Sequence, residues 1–267
     1  MPKQINDLDL ASWNAYPEII TDSLWLLGKR DNSSLHTAAY WGNFVPQIPY
    51  QAMRRFTKQG ELVLDPFAGL GTTLIEAVRL GRFAIGVDIQ PHCVEQIRCR
   101  VGTLENPYAV RAEALVGDST QIATRNIVHH KMQEWGFEKA HLLILHPPYH
   151  NIIRFSNRPE DLSNLPDEAT FLEAFERVVV NFAPLLAERR FLVLVIGDKY
   201  AMGEWIPLGF RCMERVQRNG FKLKSICVKD IQENRGKRGQ HNLWRYRALK
   251  HNFYVFKHEY VMFFEKM

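Results

Sequence analysis

The arrangement of this chain is decided by residues 61–89, which read ELVLDPFAGLGTTLIEAVRLGRFAIGVDI. Residues 61–67 predict a short strand, residues 72–80 a helix and residues 82–89 a second strand. Strands that alternate with helices in this way are typical of α/β folds with a parallel sheet. We therefore expect a parallel sheet to begin in this segment.

The same alternation continues through most of the chain. The further predicted strands are EALVGD (113–118), HLLILH (141–146), FLVLVIGD (191–198), FKLKSICVK (221–229) and NFYVFKHEYVMFFEK (252–266). Predicted helices lie at 93–104, near 120–134, from about 168 to 186 and near 208–219. The last two strands follow each other without a helical crossover and predict an antiparallel hairpin. These patterns predict an α/β fold with seven strands, mostly parallel and covered by helices on both faces.

The length of 267 residues suits one large domain. We expect an N-terminal arm at 1–35 and a single domain at 36–267. No apolar run approaches the roughly 20 residues of a membrane span, and MPKQINDLDL has no signal-peptide core, so a cytoplasmic protein is expected. The 4 cysteines form no CxxC pair, which argues against a zinc site and a disulfide framework, and no metal is expected.

The positive charge is concentrated in one segment. Residues 229–251 hold seven basic and two acidic residues, which equals the formal net charge of +5. This basic insert also contains Trp244 and Tyr246, and basic residues beside aromatic ones suit a polyanion with flat bases. The alternative is a solvated loop that only aids solubility.

A glycine-containing turn and three carboxylates follow the first three predicted strands. Gly69 and Gly71 lie between the first strand and the first helix, where a turn brings ligands close to backbone amides. Asp65, Asp88 and Asp118 end the three strands, so an adenosine with an amino-acid tail would satisfy all three. The turn is neither GxGxxG nor a P-loop. The alternatives are a tight turn and ordinary capping residues.

The fourth predicted strand ends abruptly in His146, Pro147, Pro148 and Tyr149. Two adjacent prolines stop a strand ladder and hold the next carbonyls and the tyrosine ring in a stiff geometry. The carboxyl end of a strand is where open α/β sheets bind ligands. A rigid start of a loop is the simpler interpretation of the same residues.

Taken together, these motifs resemble those of S-adenosylmethionine-dependent DNA methyltransferases that modify exocyclic amines, cytosine N4 or adenine N6. DPFAGLGTT (65–73) is similar to the group's cofactor motif DxFxGxGTT, and HPPY (146–149) to its catalytic motif [DNS]PP[YFW]. HTAAYWGNFVPQIP (36–49) is similar to the segment that closes over the cofactor. The resemblance implies a Rossmann-like methyltransferase sheet with S-adenosylmethionine as cofactor. The cofactor residues it implies are Phe44, Pro46, Asp65, Phe67, Ala68, Gly69, Gly71, Thr72, Thr73, Asp88, Ile89, Asp118 and Ser119.

The resemblance also implies a chemistry for HPPY. The lone pair of an exocyclic amine is delocalised into the base, so acceptors of its N–H bonds make the nitrogen more nucleophilic. The Pro147 carbonyl and residue 146 are the expected acceptors, with Pro148 shaping the turn and Tyr149 stacking on a flipped base. His146 departs from the family's Asp, Asn or Ser and accepts only when neutral. We expect activity to fall as pH drops through the pKa of this histidine, which is roughly 6.5 if the ring is unperturbed.

Two segments are expected to contact nucleic acid. Arg154, Phe155 and Arg158 follow the catalytic motif, and the basic insert supplies Arg235, Lys237, Arg238, Trp244, Arg245 and Arg247. The alternative for the first segment is an ordinary surface loop.

Several functions share these motifs. The first expectation is a DNA amino-methyltransferase, with a restriction endonuclease as a possible partner. The alternatives are an RNA base methyltransferase, a catalytically weakened nucleic-acid-binding relative and a protein-glutamine methyltransferase. His146 matches neither the serine-type motif associated with cytosine nor the aspartate-type motif associated with adenine, so the target base stays open.

Overall fold

The computed structural model describes residues 4–33, 35–36, 42–231 and 241–267. Three residues predicted to bind nucleic acid, Arg235, Lys237 and Arg238, lie outside the described residues, as do residues 37–41 of the predicted closing segment.

The described chain alternates strands and helices as expected. The strands are β1 (Leu24–Trp25), β2 (Leu62–Asp65), β3 (Phe83–Asp88), β4 (Ala112–Val116), β5 (Ala140–Leu145), β6 (Leu186–Ile196), β7 (Lys199–Ala201), β8 (Glu204–Ile206), β9 (Phe221–Asp230) and β10 (His258–Lys266). The helices are α1 (Gln47–Phe56), α2 (Thr72–Arg79), α3 (Pro91–Gly102), α4 (Ile122–Glu134), α5 (Glu168–Phe182), α6 (Leu208–Arg218) and α7 (His241–Lys250). No helix in the described ranges has the length and apolar character that crossing a membrane requires.

One sheet of 8 strands, in the order β1-β9-β10-β6-β5-β2-β3-β4, organises the described residues. β10 runs antiparallel to β6 and β9, and the other pairs are parallel. The predicted Rossmann-like methyltransferase sheet and its C-terminal hairpin are confirmed. All seven predicted strands are present, and the eighth is β1, which pairs with β9 through Leu24 and Val228. A strand of two residues leaves no periodic signal in a sequence.

The last strand begins at His258 rather than at residue 252, so its predicted start was wrong. Two aromatic contacts hold residues 252–257 on the β7–β8 hairpin instead. The ring centroids of Phe253 and Tyr200 are 4.4 Å apart, and those of Phe256 and Trp205 are 4.0 Å apart. The apolar residues that suggested a longer strand are therefore used in packing, which their composition alone could not distinguish from strand pairing.

Alternate residues of each strand face opposite helical layers. In β2, Leu64 belongs to a core cluster with residues of α4, α5 and α6, and Val63 to a cluster with residues of α1, α2 and α3. Side chains that alternate across a strand explain this division. Burial on both faces accounts for the nearly continuous apolar runs of the central strands.

The N-terminal arm is attached to the sheet through buried groups. Trp25 is 0% exposed, and its ring centroid lies 5.9 Å from that of Phe263 in β10. Arg82, 1% exposed, is paired at 2.7 Å with Asp7 of the arm. The arm thus contributes to the core.

This packing predicts a difference between two tryptophans of the arm. Trp25→Ala should lower the free energy of unfolding by about 3–5 kcal/mol, because it opens a large cavity. Trp13 is 73% exposed, and the matched variant Trp13→Ala should change stability by less than about 0.5 kcal/mol. Urea denaturation measures both, and equal effects would contradict the anchoring role of Trp25.

Candidate active site

A cleft of about 2180 Å³ opens at the carboxyl ends of the central strands. It is lined by residues that follow β2, β3, β4, β5 and β6, together with residues of α7 and of the segment before β10. β2 lies between β3, the next strand in the chain, and β5, so the strand order reverses between β2 and β5. Open α/β sheets bind ligands at such a reversal.

The turn after β2 forms the floor of this cleft. The Gly69 N–H donates to Asp88 Oδ2 at 2.9 Å, which ties the turn to the end of β3. Gly69 lines the cleft, whereas Gly71 does not. A Cβ on Gly71, whose φ is 83°, would lie 2.9 Å from Ile97 Cγ1, so this glycine permits the packing of α2 on α3. The two glycines therefore have different roles.

The structure brings most of the predicted cofactor residues together. Those that line the cleft are Phe44, Phe67, Ala68, Gly69, Asp88, Ile89, Asp118 and Ser119. The others lie behind it, and they are Pro46, Asp65, Gly71, Thr72 and Thr73. The Thr72 hydroxyl donates to Asn43 Oδ1 at 2.7 Å, which joins the predicted closing segment to the start of α2.

Asp65 and Asp88 are carboxyl groups whose charged forms are disfavoured by burial. Burial raises the pKa of Asp65 to about 6 and that of Asp88 to about 7. The Thr73 hydroxyl and the Phe67 N–H oppose the shift of Asp65, and the Gln90 N–H opposes that of Asp88. The Phe67 and Gln90 N–H groups each donate at 2.9 Å. Asp65 is 1% exposed, and its Oδ2 has no hydrogen-bond partner in the described part of the chain.

These groups fit S-adenosylmethionine. Asp65 Oδ2 is an acceptor that would suit an ammonium group, and Asp65 lies directly before the turn residues 66–69, which line the cleft. Asp88 lies at the end of β3, where an acidic side chain can accept from ribose hydroxyls. Asp118 already accepts from Thr120 and Gln121, so an adenine contact there would be additional.

The HPPY motif lies at the end of β5, and all four of its residues line the cleft. His146 Nε2 is 3.3 Å from the Tyr149 hydroxyl, which donates to Glu259 Oε2 at 2.7 Å. The ring centroids of Phe44 and His146 are 4.7 Å apart. A Cβ at Gly197 would lie 3.0 Å from Tyr149 Cε2, so this glycine leaves room for the ring.

Burial changes the expected titration of the motif. It lowers the pKa of His146 to about 4, although Glu259 acts in the opposite direction. The expectation of a histidine that titrates near 6.5 is therefore corrected, because the sequence could not show how far the ring is removed from water. Burial and Glu259 together raise the pKa of Tyr149 well above its usual value.

Sequence reasoning missed the residues behind the motif. Lys229 Nζ lies 3.0 Å from Glu259 Oε1, and the two residues are paired across β9 and β10. The sequence places Lys229 at the start of the basic insert, but this residue is only 7% exposed within β9. A glutamate at position 259, just before an apolar strand run, was the available signal.

A second buried contact follows the motif. Lys199 Nζ donates to His150 Nδ1 at 2.9 Å, and His150 Nε2 donates to the Leu165 carbonyl at 2.9 Å. Lys199 is 7% exposed and lines the cleft. These bonds attach the segment after HPPY to the start of β7 and to the turn before α5.

The predicted nucleic-acid residues are distributed around the cleft. Arg154, Phe155 and Arg158 line a smaller pocket of about 400 Å³ beside Gln90 and His92, and Phe155 also lines the large cleft. Trp244 and Arg245 of α7 line the large cleft. Arg247 is exposed and lies outside the lining, with its guanidinium carbon 5.4 Å from the Trp244 ring centroid.

The strand order and the ligand-facing carboxyl ends place the chain in the class of Rossmann-like methyltransferase folds. TrmN from Thermus thermophilus shares this fold with a TM-score of 0.50 and 16% sequence identity, over 84% of this chain and 49% of that chain. Residues 13–98 match a sequence family, N6_N4_Mtase, described as DNA methylase. The resemblance to DNA amino-methyltransferases is thereby confirmed over these residues.

Two curated relatives are similar to short segments of this chain. Type II methyltransferase M.MjaII from Methanocaldococcus jannaschii is 40% identical over 52 residues, which are 20% of this chain and 10% of that protein. Type II methyltransferase M2.DpnII from Streptococcus pneumoniae is 47% identical over 45 residues, or 17% of each chain. The chain thus matches less than a fifth of the length of either relative.

The environment of Asp65 predicts two effects of Asp65→Asn. Because the folded pKa of about 6 exceeds the usual 3.8, the folded protein binds more protons than the unfolded chain between these values. The free energy of unfolding of the cofactor-free protein should therefore fall as pH rises from about 4 to about 6, and the variant should reduce this slope. Its affinity for S-adenosylmethionine should fall by about tenfold or more, since a charged acceptor is removed.

Denaturation at several pH values and titration calorimetry measure these two effects. Glu138 is exposed and lies before the amino end of β5, so Glu138→Gln is the matched control and should change neither quantity. Unaltered cofactor affinity in Asp65→Asn would exclude a role for this carboxylate in binding.

Proposed function

We propose that the protein transfers a methyl group from S-adenosylmethionine to an exocyclic amine, cytosine N4 or adenine N6, of a flipped base in DNA. The observation that carries the proposal is the juxtaposition of two motifs on paired strands. The DPFAGLG turn follows β2 and HPPY follows β5, and these strands are paired through Leu64 and Leu143. The match of residues 13–98 to a DNA methylase family supports DNA as the substrate.

The residues of HPPY suit the activation of an amine. When bound, S-adenosylmethionine supplies an electrophilic methyl group. The Pro147 carbonyl and the neutral His146 ring accept the two N–H bonds of the amine, which directs the nitrogen lone pair toward the methyl group. The buried cleft holds these acceptors in a fixed orientation and removes water that would compete for them. No covalent intermediate with the protein is needed.

Tyr149 has a second function in this proposal besides offering its ring to a base. Its hydroxyl donates to Glu259, which limits the motion of the ring beside His146. The ring therefore presents a face whose position is set before the substrate arrives. A stacking surface that is already ordered loses less entropy when it binds a flipped base.

The DNA contacts are assigned to two sides of the cleft. α7 contributes Trp244, Arg245 and Arg247, and the segment after HPPY contributes Arg154, Phe155 and Arg158. Basic residues beside aromatic rings match a phosphate backbone and unstacked bases. A restriction endonuclease is proposed as a partner, because the curated relatives are named type II methyltransferases.

One experiment tests the function. The protein is incubated with methyl-labelled S-adenosylmethionine and either duplex DNA or RNA that lacks methylated amines, and the product is digested to nucleosides. Labelled N4-methylcytosine or N6-methyladenine from DNA is expected, at a level that His146→Ala lowers by on the order of 100-fold. If label appeared only in RNA, the substrate would be RNA and not DNA. Cofactor binding without any transfer would overturn the catalytic proposal.

The low pKa of His146 predicts a broad pH plateau. An imidazole whose pKa is about 4 is neutral, and so able to accept, from about pH 5 upward. At saturating cofactor, kcat should be constant from about pH 5.5 to 8 and fall only near pH 4. His146→Asn should remove this acidic limb, because an amide does not titrate. If kcat of the wild type instead fell near pH 6.5, and this fall disappeared in His146→Asn, the His146 ring would be solvated and not buried.

The position of α7 predicts a change in salt dependence. Arg245→Ala combined with Arg247→Ala should weaken binding to duplex DNA and reduce the slope of log K against log salt by up to about 1.8, about 0.9 for each phosphate that is no longer neutralised. Arg177 and Arg218 are exposed and do not line the cleft, so Arg177→Ala with Arg218→Ala is the matched control. Equal slopes for both double variants would show that α7 does not contact the DNA backbone.

A further inference from the structure

The direction of each hydrogen bond behind HPPY follows from the charge of Glu259. Burial acts to raise the pKa of Glu259, but the charge of Lys229 and the hydrogen bonds from Tyr149 and Lys229 hold it below its usual value. Glu259 is therefore a carboxylate at neutral pH and can only accept hydrogen bonds. Lys229 Nζ occupies Oε1 at 3.0 Å, and the Tyr149 hydroxyl lies 2.7 Å from Oε2.

The single hydroxyl proton of Tyr149 is consequently directed at Glu259. The raised pKa of Tyr149 keeps this proton in place at neutral pH. The Tyr149 oxygen can then serve His146 only as an acceptor. Because His146 Nε2 lies 3.3 Å from that oxygen, Nε2 carries the hydrogen of the neutral imidazole.

The other ring nitrogen, Nδ1, is therefore the unprotonated one. His146 Nδ1 forms no hydrogen bond with any described residue. It is also absent from the fully buried polar atoms that lack a partner, so it retains some exposed surface. The His146 ring lines the cleft, and Phe44 packs on it with 4.7 Å between centroids. Nδ1 is thus the ring atom that remains available to a substrate amine.

We propose that Glu259, acting through Tyr149, is a positioning residue that holds His146 in its Nε2–H tautomer, so that Nδ1 accepts the N–H of the target amine and takes its proton. The inference rests on the proposed methyl transfer and assigns a role to a residue outside its motifs. Asp, Asn and Ser have no tautomer to select. A histidine in their place needs a neighbour that determines which nitrogen accepts.

The proton balance of the step is complete. As the nitrogen–methyl bond forms, the sulfur–methyl bond of S-adenosylmethionine breaks with its electron pair left on sulfur. The nitrogen then gives one N–H proton to Nδ1. The resulting imidazolium keeps its Nε2–H on Tyr149, and the Lys229–Glu259 pair lies behind that hydroxyl. The proton passes from Nδ1 to solvent when the product leaves.

The tautomer can be measured without any activity. In protein labelled with ¹⁵N-histidine, with the His146 signals assigned by their disappearance in His146→Asn, Nε2 should appear protonated and Nδ1 unprotonated at pH 7. In Lys229→Met combined with Glu259→Leu, Tyr149 is free to donate to Nε2, and the proton should move to Nδ1. A wild-type ring protonated at Nδ1, or a ring unaffected by the double variant, would overturn the inference.

The matched control uses a second ion pair of the same two strands. Lys224 Nζ lies 3.2 Å from Glu265 Oε2, and neither residue lines the cleft. Lys224→Met combined with Glu265→Leu removes the same charges from β9 and β10 and should leave the His146 spectrum unchanged. If both double variants shifted the His146 spectrum alike, the shift would result from a general loss of stability in β9 and β10 and not from Glu259.

Kinetics supply the second test. Lys229→Met with Glu259→Leu should lower kcat by about 10- to 100-fold with an unchanged KM for S-adenosylmethionine. In the His146→Asn background the same pair should lower kcat by a clearly smaller factor, because an amide oxygen needs no tautomer and only the ordering of the Tyr149 ring is lost. An equal decrease in both backgrounds would overturn the inference. Absence of methyl transfer by the wild type would refute the proposed function and leave the tautomer measurement valid.

Discussion

The parallel pairing of β2 with β3 on one side and β5 on the other is the constraint on which this structure depends. Parallel strands end at the same edge of a sheet, so the turn after β2, the carboxylate of Asp88 and HPPY are brought to one cleft by backbone hydrogen bonds alone. The side chains of the site then need only short local contacts to be oriented. The Gly69 N–H bond to Asp88 is such a contact, since it joins two strand ends that are already neighbours.

Removal from water governs the chemistry of this edge. Asp65, Asp88 and His146 all have pKa values shifted toward their neutral forms by burial. For the two carboxyl groups, burial makes the ionised form less stable in the cofactor-free protein, and a cationic ligand would offset this effect. For the histidine it maintains an acceptor over the physiological range. Burial thus favours the uncharged form of every group, and it does so by raising the pKa of a carboxyl group and lowering that of an imidazole.

The antiparallel strand β10 supplies Glu259, whose carboxylate contacts Tyr149 of HPPY. It lies between β6 and β9, and its register places Glu259 opposite Lys229. A pair of opposite charges can remain buried at that position because each partner compensates the other. The pair contacts Tyr149 from a part of the chain far from HPPY in sequence, and it links HPPY to the strands that flank the basic insert.

Much of this protein was determined by its sequence alone. The order of strands and helices follows from local hydrophobic patterns and from turn residues such as Pro147 and Gly71, which act over a few neighbouring positions. The DPFAGLGTT and HPPY motifs are each contiguous, and for the same reason they indicated a candidate cofactor turn and a candidate catalytic strand end.

The tertiary structure alone decided the features that depend on distant residues. β1, the pairing of Lys229 with Glu259 and the contacts of residues 252–257 with the β7–β8 hairpin join segments that no local pattern connects. The depressed pKa of His146 likewise depends on how much protein surrounds the ring. Burial and register are properties of the whole packed chain, and they arise only when the segments are assembled.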